Sequence, residues 1–549
     1  MYSDTAAGKA DQWIPIRPGT DAALVEAIAY ELIRNNWVDQ AFLDKYCIGY
    51  DEKTLPAGAP AKSDYRSYIL GEGADRTPKT PERAAKITGI PVATIRSLAK
   101  EIGTTRPLFV AQVLGPQRQA NGEQTACAIA MLPILTGCVG LPGTSTGMEE
   151  DGTNWEPTYL PTGENKVKIR IPVFLWTDAI LRGKDMDWVH DGVKNLPEGA
   201  RLGHDIKMIV NSGGNVLINQ HSDTNWTDKV LRDTTKCEFL VVCDNMMTPS
   251  ARYADILLPD TLGPETDDIV GNGDSMGDLA CLYPMHKAVE PQYDQKPSWE
   301  ICRLITKELG IEEKYTEGRD QKGWIRWCYE ETRKDNPELP EFDVFWKQGP
   351  TQLFNVKWDR IMFEDFRKDP AKHPLKTTSG KIEIYSSQLA HLAETWKLPE
   401  GDVISALLKF VRTWDMPGDD KAGKYPLQCF GYHGHGRTHS TFHNLPWLRE
   451  VHPDTVTMNP IDAEARGIAD GDKVEVFNDL GSVLLPARVT NRIIPGVCAI
   501  PQGAWYTPVV QAGRTVDVGG CINTLTSHRP SPLAKGNPQH ANLVEIRKA

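Results

Sequence analysis

The order of apolar and polar positions predicts strand, turn and helix units over the first half of the chain. The clearest helix is predicted for residues 21–34, where apolar residues recur at helical spacing after Pro-Gly-Thr-Asp. A short apolar run at 13–16 precedes it and is typical of a strand end. Further strands are predicted at 107–112, 206–211 and 239–244, each followed by a turn. Apolar strands that alternate with helices indicate a parallel sheet covered on both faces.

The pattern changes along the rest of the chain. Residues 310–380 show no sustained period and are predicted to be irregular with short helices, followed by a strand at 381–385. After residue 425, short alternating runs such as 473–477 and 482–486 are separated by turn residues. These runs predict a small β-barrel.

The length of 549 residues exceeds one compact core, because domains average about 150 residues. We predict an α/β fold with Rossmann-like parallel-sheet domains and a C-terminal β-barrel of the six-stranded type. The predicted domains are residues 1–165, residues 166–420 with an irregular middle, and residues 425–549.

Charge and composition exclude some classes of function. The net charge of −12 argues against a nucleic-acid partner, because phosphate neutralisation needs clustered Lys and Arg. No apolar run reaches the roughly 18–20 residues that span a bilayer. Residues 1–5 have neither the basic nor the apolar segment of a secretory signal. These features by themselves predict neither a membrane span nor export, and they leave the localisation open.

The 11 cysteines are scattered and form no C-x-x-C pair. Zinc-ribbon spacing and four-cysteine cluster spacing are therefore absent from this sequence. Buried free thiols are the expectation at each position.

A compact turn, Gly19-Thr20-Asp21, opens the helix predicted at 21–34. The Asp21 carboxylate is suited to accept two hydrogen bonds from a guanine edge. The alternative is an ordinary helix N-cap, for which Thr and Asp are common residues.

Polar and glycine residues follow two of the other predicted strands. Gln117 and Arg118 come after the strand at 107–112, where side chains usually face a ligand crevice in open α/β sheets. A solvated loop is the alternative there. Gly214 permits close backbone approach to a ligand, and Asn215 offers an amide donor and acceptor.

A glycine- and histidine-rich segment spans residues 431–441. Its glycines allow backbone amides to face a phosphate, and Arg437 can add a charge-assisted contact. His433, His435 and His439 also raise a metal site, but no carboxylate or cysteine partner is evident, so no metal ligand is predicted.

Several common catalytic motifs do not occur. The sequence has no Gly-x-Ser-x-Gly, no Walker-type phosphate loop and no His-Glu-x-x-His. A flavin or nicotinamide dehydrogenase is disfavoured, because Gly-x-Gly-x-x-Gly with a downstream acid is missing.

The order of these segments resembles the molybdopterin oxidoreductases, and specifically the dimethyl sulfoxide reductase family. The segments that carry the resemblance are 11–24, 219–222, 253–259, 379–385, 520–526 and 530–538. The resemblance implies bis-molybdopterin guanine dinucleotide, a molybdenum cofactor, held between two Rossmann-like domains and the C-terminal barrel. It also implies reduction of a sulfoxide such as dimethyl sulfoxide, or of an N-oxide, by oxygen-atom transfer.

The matched positions imply a set of cofactor-binding residues. One nucleotide would contact Gly19, Thr20 and Asp21. The second would contact Gly214, Asn215, Asp244 and Thr248. The pterin side and pyrophosphate would be approached by Gln117, Arg118, His433, Arg437, His439, Ser440 and Thr441, with Asn523, Gly536 and Asn537 closing the site.

The family's molybdenum ligand and its four-cysteine iron–sulfur motif lie upstream of the matched region and have no counterpart here. We therefore expect this chain to be the C-terminal part of a longer catalytic subunit, with its catalytic residues unknown and its first Rossmann-like domain incomplete. The alternative is a cofactor-binding, non-catalytic chain, such as a split-gene half that needs a separate N-terminal chain. The family implies an iron–sulfur electron-transfer subunit, a membrane anchor subunit and export across the cytoplasmic membrane.

Overall fold

The structure is a computed structural model that describes residues 1–147, 156–271, 280–353, 361–412 and 414–549. The α-helices are α1 (Asp4–Lys9), α2 (Asp21–Arg34), α3 (Gln40–Tyr46), α4 (Tyr65–Leu70), α5 (Pro81–Thr88), α6 (Val92–Thr104), α7 (Gly122–Ile129), α8 (Met131–Leu135), α9 (Trp176–Arg182), α10 (Trp188–Asp191), α11 (Thr224–Arg232), α12 (Ser298–Glu308), α13 (Glu312–Thr316), α14 (Gln321–Asp335), α15 (Phe342–Gln348), α16 (Glu364–Lys368), α17 (Ser387–Thr395), α18 (Pro446–Val451) and α19 (Pro460–Glu464).

The strands are β1 (Cys47–Ile48), β2 (Met208–Ser212), β3 (Phe239–Asp244), β4 (Ile256–Pro259), β5 (Asp268–Gly271), β6 (Ala280–Met285), β7 (Thr351–Leu353), β8 (Ile382–Glu383), β9 (Leu427–Tyr432), β10 (Val456–Met458), β11 (Lys473–Phe477), β12 (Ser482–Val489), β13 (Val497–Pro501), β14 (Pro508–Gln511), β15 (Arg514–Asp517) and β16 (Asn542–Lys548). In the described residues, no helix combines the length and apolarity that a membrane span requires.

The α/β character is carried by a parallel sheet with the strand order β2–β3–β4. This confirms the strands predicted near 206–211 and at 239–244. Helix α11 packs against it through Val230 and Leu231, in a cluster that also contains Leu240 and Val242. Because the strands are parallel, their carboxyl ends meet at one edge, and the turns after β2 and β3 lie together there.

The amino-terminal region is mainly helical. Helix α2 has the predicted bounds, and its buried face packs into the core through residues such as Ile28 and Leu32. Helices α7 and α8 follow each other directly and meet at Ala130.

The strands predicted at 13–16 and 107–112 are wrong. Neither segment forms a strand in the described part of the chain. Pro15 and Pro18 have no N–H to donate to a ladder. The N–H of Val110 is donated to the Ser145 hydroxyl instead, at 2.8 Å.

The predicted C-terminal β-barrel is confirmed. Its ring runs β10–β13–β9–β16–β11–β12 and closes through a parallel pairing of β12 with β10. The β14–β15 hairpin extends from β12. Apolar side chains such as Val456, Val474 and Ile546 fill the barrel interior.

The middle of the chain is more regular than its sequence suggests. Helix α14 is 15 residues long, and Tyr329 on it stacks on Phe345 of α15. The strand predicted at 381–385 is limited to β8, which pairs with β1. Residues 354–360 of the predicted irregular stretch lie outside the described residues.

Candidate functional site

A cavity of about 540 Å³ opens where the turn after β2, the end of the barrel strand β13 and the C-terminal segment meet. It brings together residues from four of the predicted segments. The predicted site residues that line it are Arg118, Gly214, Asn215, His439, Ser440, Thr441, Asn523, Gly536 and Asn537.

Asn215 presents an unpaired donor in this cavity. Its Oδ1 accepts from the Ser250 backbone N–H at 3.0 Å and from the Ser250 hydroxyl at 2.7 Å. These contacts fix the amide orientation, because a backbone N–H needs an acceptor. The buried Nδ2 has no protein partner in the described residues. A buried donor without a partner is costly, which favours a ligand acceptor at this point.

Asn523 contributes a hydrogen-bond acceptor to the same cavity, where Asn215 contributes a donor. Its Nδ2 donates to the Asn219 carbonyl at 2.7 Å, while its buried Oδ1 lacks a partner in the part of the chain that is described. Asn219 in turn bridges to the barrel, donating to the Ala504 carbonyl at 2.7 Å. The cavity wall therefore offers one orphan donor and one orphan acceptor.

Arg118 supplies positive charge. It lies in a 3-10 turn, Pro116–Arg118, and its guanidinium forms no ion pair with a described residue. Its carbonyl accepts from the His540 N–H at 3.1 Å, and His540 Nδ1 accepts from the Gly431 N–H at 3.1 Å. Burial, Arg118 and His433 lower the pKa of His540 to about 4, so this histidine is neutral near pH 7.

Asp244 and Thr248 stand behind the cavity and do not line it. The Thr248 hydroxyl donates to Asp244 Oδ2 at 3.1 Å, and Asp244 Oδ1 accepts from the Asn245 N–H at 2.8 Å. These bonds shape the turn after β3 that carries Ser250, the partner of Asn215.

A second cavity, of about 640 Å³, is lined by residues 432–437 of the 431–441 segment, including His433 and Arg437. Three further arginines, Arg449, Arg488 and Arg492, line it together with Asp4 and Asp454. The 431–441 segment therefore contributes to the walls of two cavities.

Arg437 is held by the protein itself. It donates to Asp454 Oδ1 at 2.6 Å, to the Gln502 carbonyl at 2.8 Å and to the Pro501 carbonyl at 3.0 Å. The side chains of Arg437 and Asp454 are only 6% and 5% exposed. Burial and Arg437 lower the pKa of the neighbouring His443 to about 3. Arg437 thus ties the 431–441 segment to the barrel, using most of its donors.

The remaining residues of that segment are positioned by the loop after β13. His439 Nδ1 faces Gln502 Nε2 at 3.1 Å, and the Ser440 carbonyl accepts from Trp505 Nε1 at 2.8 Å. Gly503 has a φ of +88°, and a side chain there would overlap the His439 carbonyl. Ser440 and Thr441 both line the first cavity.

Gly19, Thr20 and Asp21 lie outside both cavities. The Thr20 hydroxyl donates to the Arg17 carbonyl at 2.6 Å and makes no helix cap. Burial raises the pKa of Asp21, whose carboxylate has no side-chain partner among the described residues. The turn meets the barrel where Gln428 approaches the Pro18 carbonyl at 3.5 Å.

Gln117 is exposed and lines neither cavity. The described residues contain no cluster of three or more metal-ligating side chains.

Several residues of this site were not predicted from the sequence to bind the cofactor. Asn219, Gln502 and Gln539 line the cavity, His540 bonds to the Arg118 carbonyl beside it, and each contacts a segment distant in sequence. The Gln539 amide donates to Gln502 Oε1 at 3.0 Å, linking the C-terminal segment to His439. The sequence feature that could have identified these residues is the cluster of amides and histidines near Asn537. Such a cluster is equally typical of a surface loop.

Two protein-family models match this chain. The molybdopterin oxidoreductase family model matches residues 2–308, and the molydopterin dinucleotide binding domain matches residues 427–543. The dimethyl sulfoxide reductase DmsA of Haemophilus influenzae is 49% identical over 547 residues, covering 100% of this chain and 67% of the relative. The putative dimethyl sulfoxide reductase chain YnfE of Escherichia coli K12 is 50% identical over 549 residues, with coverages of 100% and 67%.

More distant proteins extend the comparison. A trimethylamine-N-oxide reductase of Haemophilus influenzae is 32% identical over 577 residues, covering 98% of this chain and 65% of the relative. The solved structure of acetylene hydratase from Pelobacter acetylenicus matches with a TM-score of 0.67 at 20% identity, over 99% of this chain and 72% of that one. That likeness shows the fold. The chain spans about two thirds of the length of the curated reductases it matches.

Proposed function

This chain belongs to the molybdopterin oxidoreductase family, and we propose that it uses bis-molybdopterin guanine dinucleotide to reduce a sulfoxide or an N-oxide. It is a molybdopterin-dependent oxidoreductase by this membership. The choice of substrate class rests on the relatives, which are named dimethyl sulfoxide reductases and a trimethylamine-N-oxide reductase.

The observation that carries the proposal is the cavity where Arg118, Asn215 and Asn523 meet, bordered by the 431–441 segment that also lines a second, arginine-rich cavity. The orphan donor of Asn215 and the orphan acceptor of Asn523 fit a ligand rich in phosphate and amide-like ring edges. The unpaired guanidinium of Arg118 adds charge for an anion.

The residues divide into those that contact the cofactor and those that hold the contacting residues in place. We assign contact to Gly214, Asn215, Arg118, His439, Ser440, Thr441, Asn523, Gly536 and Asn537, and His433 contacts it from the second cavity. Arg437, Asp244 and Thr248 hold loops in position. Gly19, Thr20 and Asp21 bind one guanine, with Gln117 on the pterin side.

The ionised Asp21 carboxylate accepts from two neighbouring N–H donors of guanine. Burial raises the pKa of Asp21, so a paired donor edge offsets the cost of its charge. When bound, the cofactor supplies molybdenum-centred oxygen-atom transfer with two electrons, and the protein orients it and limits water around it.

The wider assembly follows the family. The proposed domain division is 1–165, 166–420 and 425–549. We propose that electrons arrive from an iron–sulfur subunit held by a membrane anchor subunit, in a membrane-associated complex whose catalytic subunit is exported.

The test is molybdenum and nucleotide analysis of the chain purified from an anaerobically grown host that makes the cofactor. We expect two guanine nucleotides for each molybdenum, released on denaturation, and reduction of dimethyl sulfoxide or trimethylamine N-oxide by a dye donor. A soluble, folded chain that carries neither molybdenum nor nucleotide would overturn the proposal.

Asn215→Asp sharpens this test. The substitution keeps the acceptor for Ser250 and removes only the orphan donor, while adding charge near an anion. We expect nucleotide content to fall by about tenfold, the equivalent of about 1.4 kcal/mol. Asn245→Asp adds the same charge at an exposed position of the turn after β3 and serves as the control. Equal retention in both variants would remove Asn215 from the contact set.

A further inference from the structure

Three polar side chains near the end of β13 form a chain of hydrogen bonds in the wall of the first cavity. Gln539 Nε2 donates to Gln502 Oε1 at 3.0 Å, and Gln502 Nε2 lies 3.1 Å from His439 Nδ1. All three residues line the cavity of about 540 Å³. Both glutamines are buried, so their amide groups are held inside the wall and have few partners to choose from.

The backbones of both glutamines are anchored to the barrel. The Gln502 N–H donates to the Tyr432 carbonyl at 2.8 Å, and the Gln502 carbonyl accepts from Arg437 Nε at 2.8 Å. The Gln539 carbonyl accepts from Asn542 Nδ2, at the start of β16, at 2.8 Å. The two amide groups therefore meet from backbones that the barrel holds in place.

The direction of the hydrogen bonds follows from the chemistry of an amide. Gln502 Oε1 accepts from Gln539, so Gln502 turns its NH2 group to His439, and an amide NH2 can only donate. Nδ1 of His439 must then be the unprotonated, accepting nitrogen. A neutral imidazole carries one N–H, which in this arrangement lies on Nε2.

The other nitrogen of His439 remains available to a ligand. Nε2 forms no hydrogen bond with a described residue, and the ring packs against the His433 ring with the centroids 5.0 Å apart. In the opposite tautomer, an N–H at Nδ1 would meet the NH2 group of Gln502, and Nε2 would offer a lone pair in place of a donor. The two tautomers therefore suit ligand atoms of opposite character.

We propose that Gln502 and Gln539 are positioning residues that hold His439 in its Nε2–H tautomer, so that this N–H donates to an anionic oxygen of the ligand. The inference rests on the proposed function for the identity of that ligand, since a guanine dinucleotide carries such oxygens on its pyrophosphate. Hydrogen bonds to charged oxygens are the stronger class. Gln539 acts at one remove, because it bonds to Gln502 and not to His439.

Nitrogen NMR of the full chain tests the tautomer directly. The chain is labelled with 15N-histidine, and the His439 signals are identified by their loss in His439→Gln. At about pH 8.5, roughly two units above the ordinary histidine pKa, we expect a protonated Nε2 and an unprotonated Nδ1. A protonated Nδ1 in the wild type would overturn the proposal. The wild-type spectrum gives this answer even where a variant fails to fold.

Two isosteric variants test the role of the glutamines. In Gln539→Glu the new carboxylate can only accept, so the Gln502 amide should rotate, donate to it and turn Oε1 to His439. In Gln502→Glu a carboxylate oxygen faces His439 directly. Both variants should move the proton to Nδ1, and retention of guanine nucleotide after gel filtration should fall about tenfold. Gln292→Glu adds the same charge at an exposed position and should change neither measurement.

The outcomes separate this inference from the proposed function. An unchanged tautomer in both variants would overturn the inference, because the glutamines would then not set it. A switched tautomer with full nucleotide retention would also overturn it, because the Nε2–H of His439 would then not bind the ligand. The predicted tautomers in a chain that never carries nucleotide would support the positioning role and contradict the proposed function.

Discussion

Arg437 and Arg118 line two different cavities of similar size, and the 431–441 segment borders both. Arg437 donates hydrogen bonds to Asp454 and to two backbone carbonyls, and its side chain is buried. Arg118 pairs with no described carboxylate and faces the cavity. One guanidinium therefore holds the protein together, while the other is available to a ligand.

Each arginine also has a histidine beside it that is kept neutral. His443 lies next to Arg437 and has its pKa lowered to about 3, while His540 lies next to Arg118 and has its pKa lowered to about 4. Burial is the larger cause in both. A neutral His540 can accept the Gly431 N–H, which a protonated ring nitrogen cannot do.

The largest effect is expected from Arg437→Met. The variant leaves the Asp454 carboxylate buried without its counter-charge, a change that usually costs about 3–5 kcal/mol. Urea unfolding should show this loss in the chain without cofactor. Arg252→Met removes a charge from an exposed position after β3 and should change stability by less than about 0.5 kcal/mol.

Adding Asp454→Asn to Arg437→Met should recover part of the loss, because the orphaned charge is then removed. A single variant as stable as the wild type would contradict the structural role of Arg437.

Arg118→Met should give the opposite result. We expect unchanged stability without cofactor, because Arg118 pairs with no described carboxylate. Retention of molybdenum and guanine nucleotide after gel filtration should fall at least tenfold, since hydrogen bonds to charged groups contribute about 1.5–3 kcal/mol. Arg66→Met, on exposed α4, controls for the loss of one positive charge. Full retention of molybdenum and guanine nucleotide in Arg118→Met would contradict the proposed difference between the two arginines, because neither would then bind the ligand.

The smallest expected effect is a pH dependence at His540. Its folded-state pKa of about 4 is below the ordinary 6.5, so the unfolded chain binds the proton first as the pH falls. The stabilisation is present above about pH 6.5 and is lost as the pH falls towards 4.

His540→Asn keeps an acceptor for the Gly431 N–H and cannot titrate. Between pH 7 and pH 5 the wild type should lose about 2 kcal/mol more stability than this variant, measured by urea unfolding at each pH. Equal losses of stability in the wild type and in His540→Asn would show that other groups cause the loss of stability at acid pH.

The bounds of helices and strands could be predicted where a short run of neighbouring residues specifies them. The bounds of α2 follow from the spacing of its apolar residues and from the turn that opens it. The strands β3 and β11 also have the predicted bounds, because each is a short apolar or alternating run between turn residues. The strand predicted at 13–16 was wrong because a strand exists only with a partner, and prolines at 15 and 18 remove donors from that segment.

The family, the α/β and barrel architecture, and the segments that carry polar and glycine residues could be predicted from the sequence alone. Which of those residues remain free for a ligand depends on the tertiary structure. Arg437 meets Asp454 because the barrel brings two loops together, and the Asn215 donor is left orphaned because Ser250 occupies its oxygen. Such partners are distant along the chain, so no local pattern of residues records them.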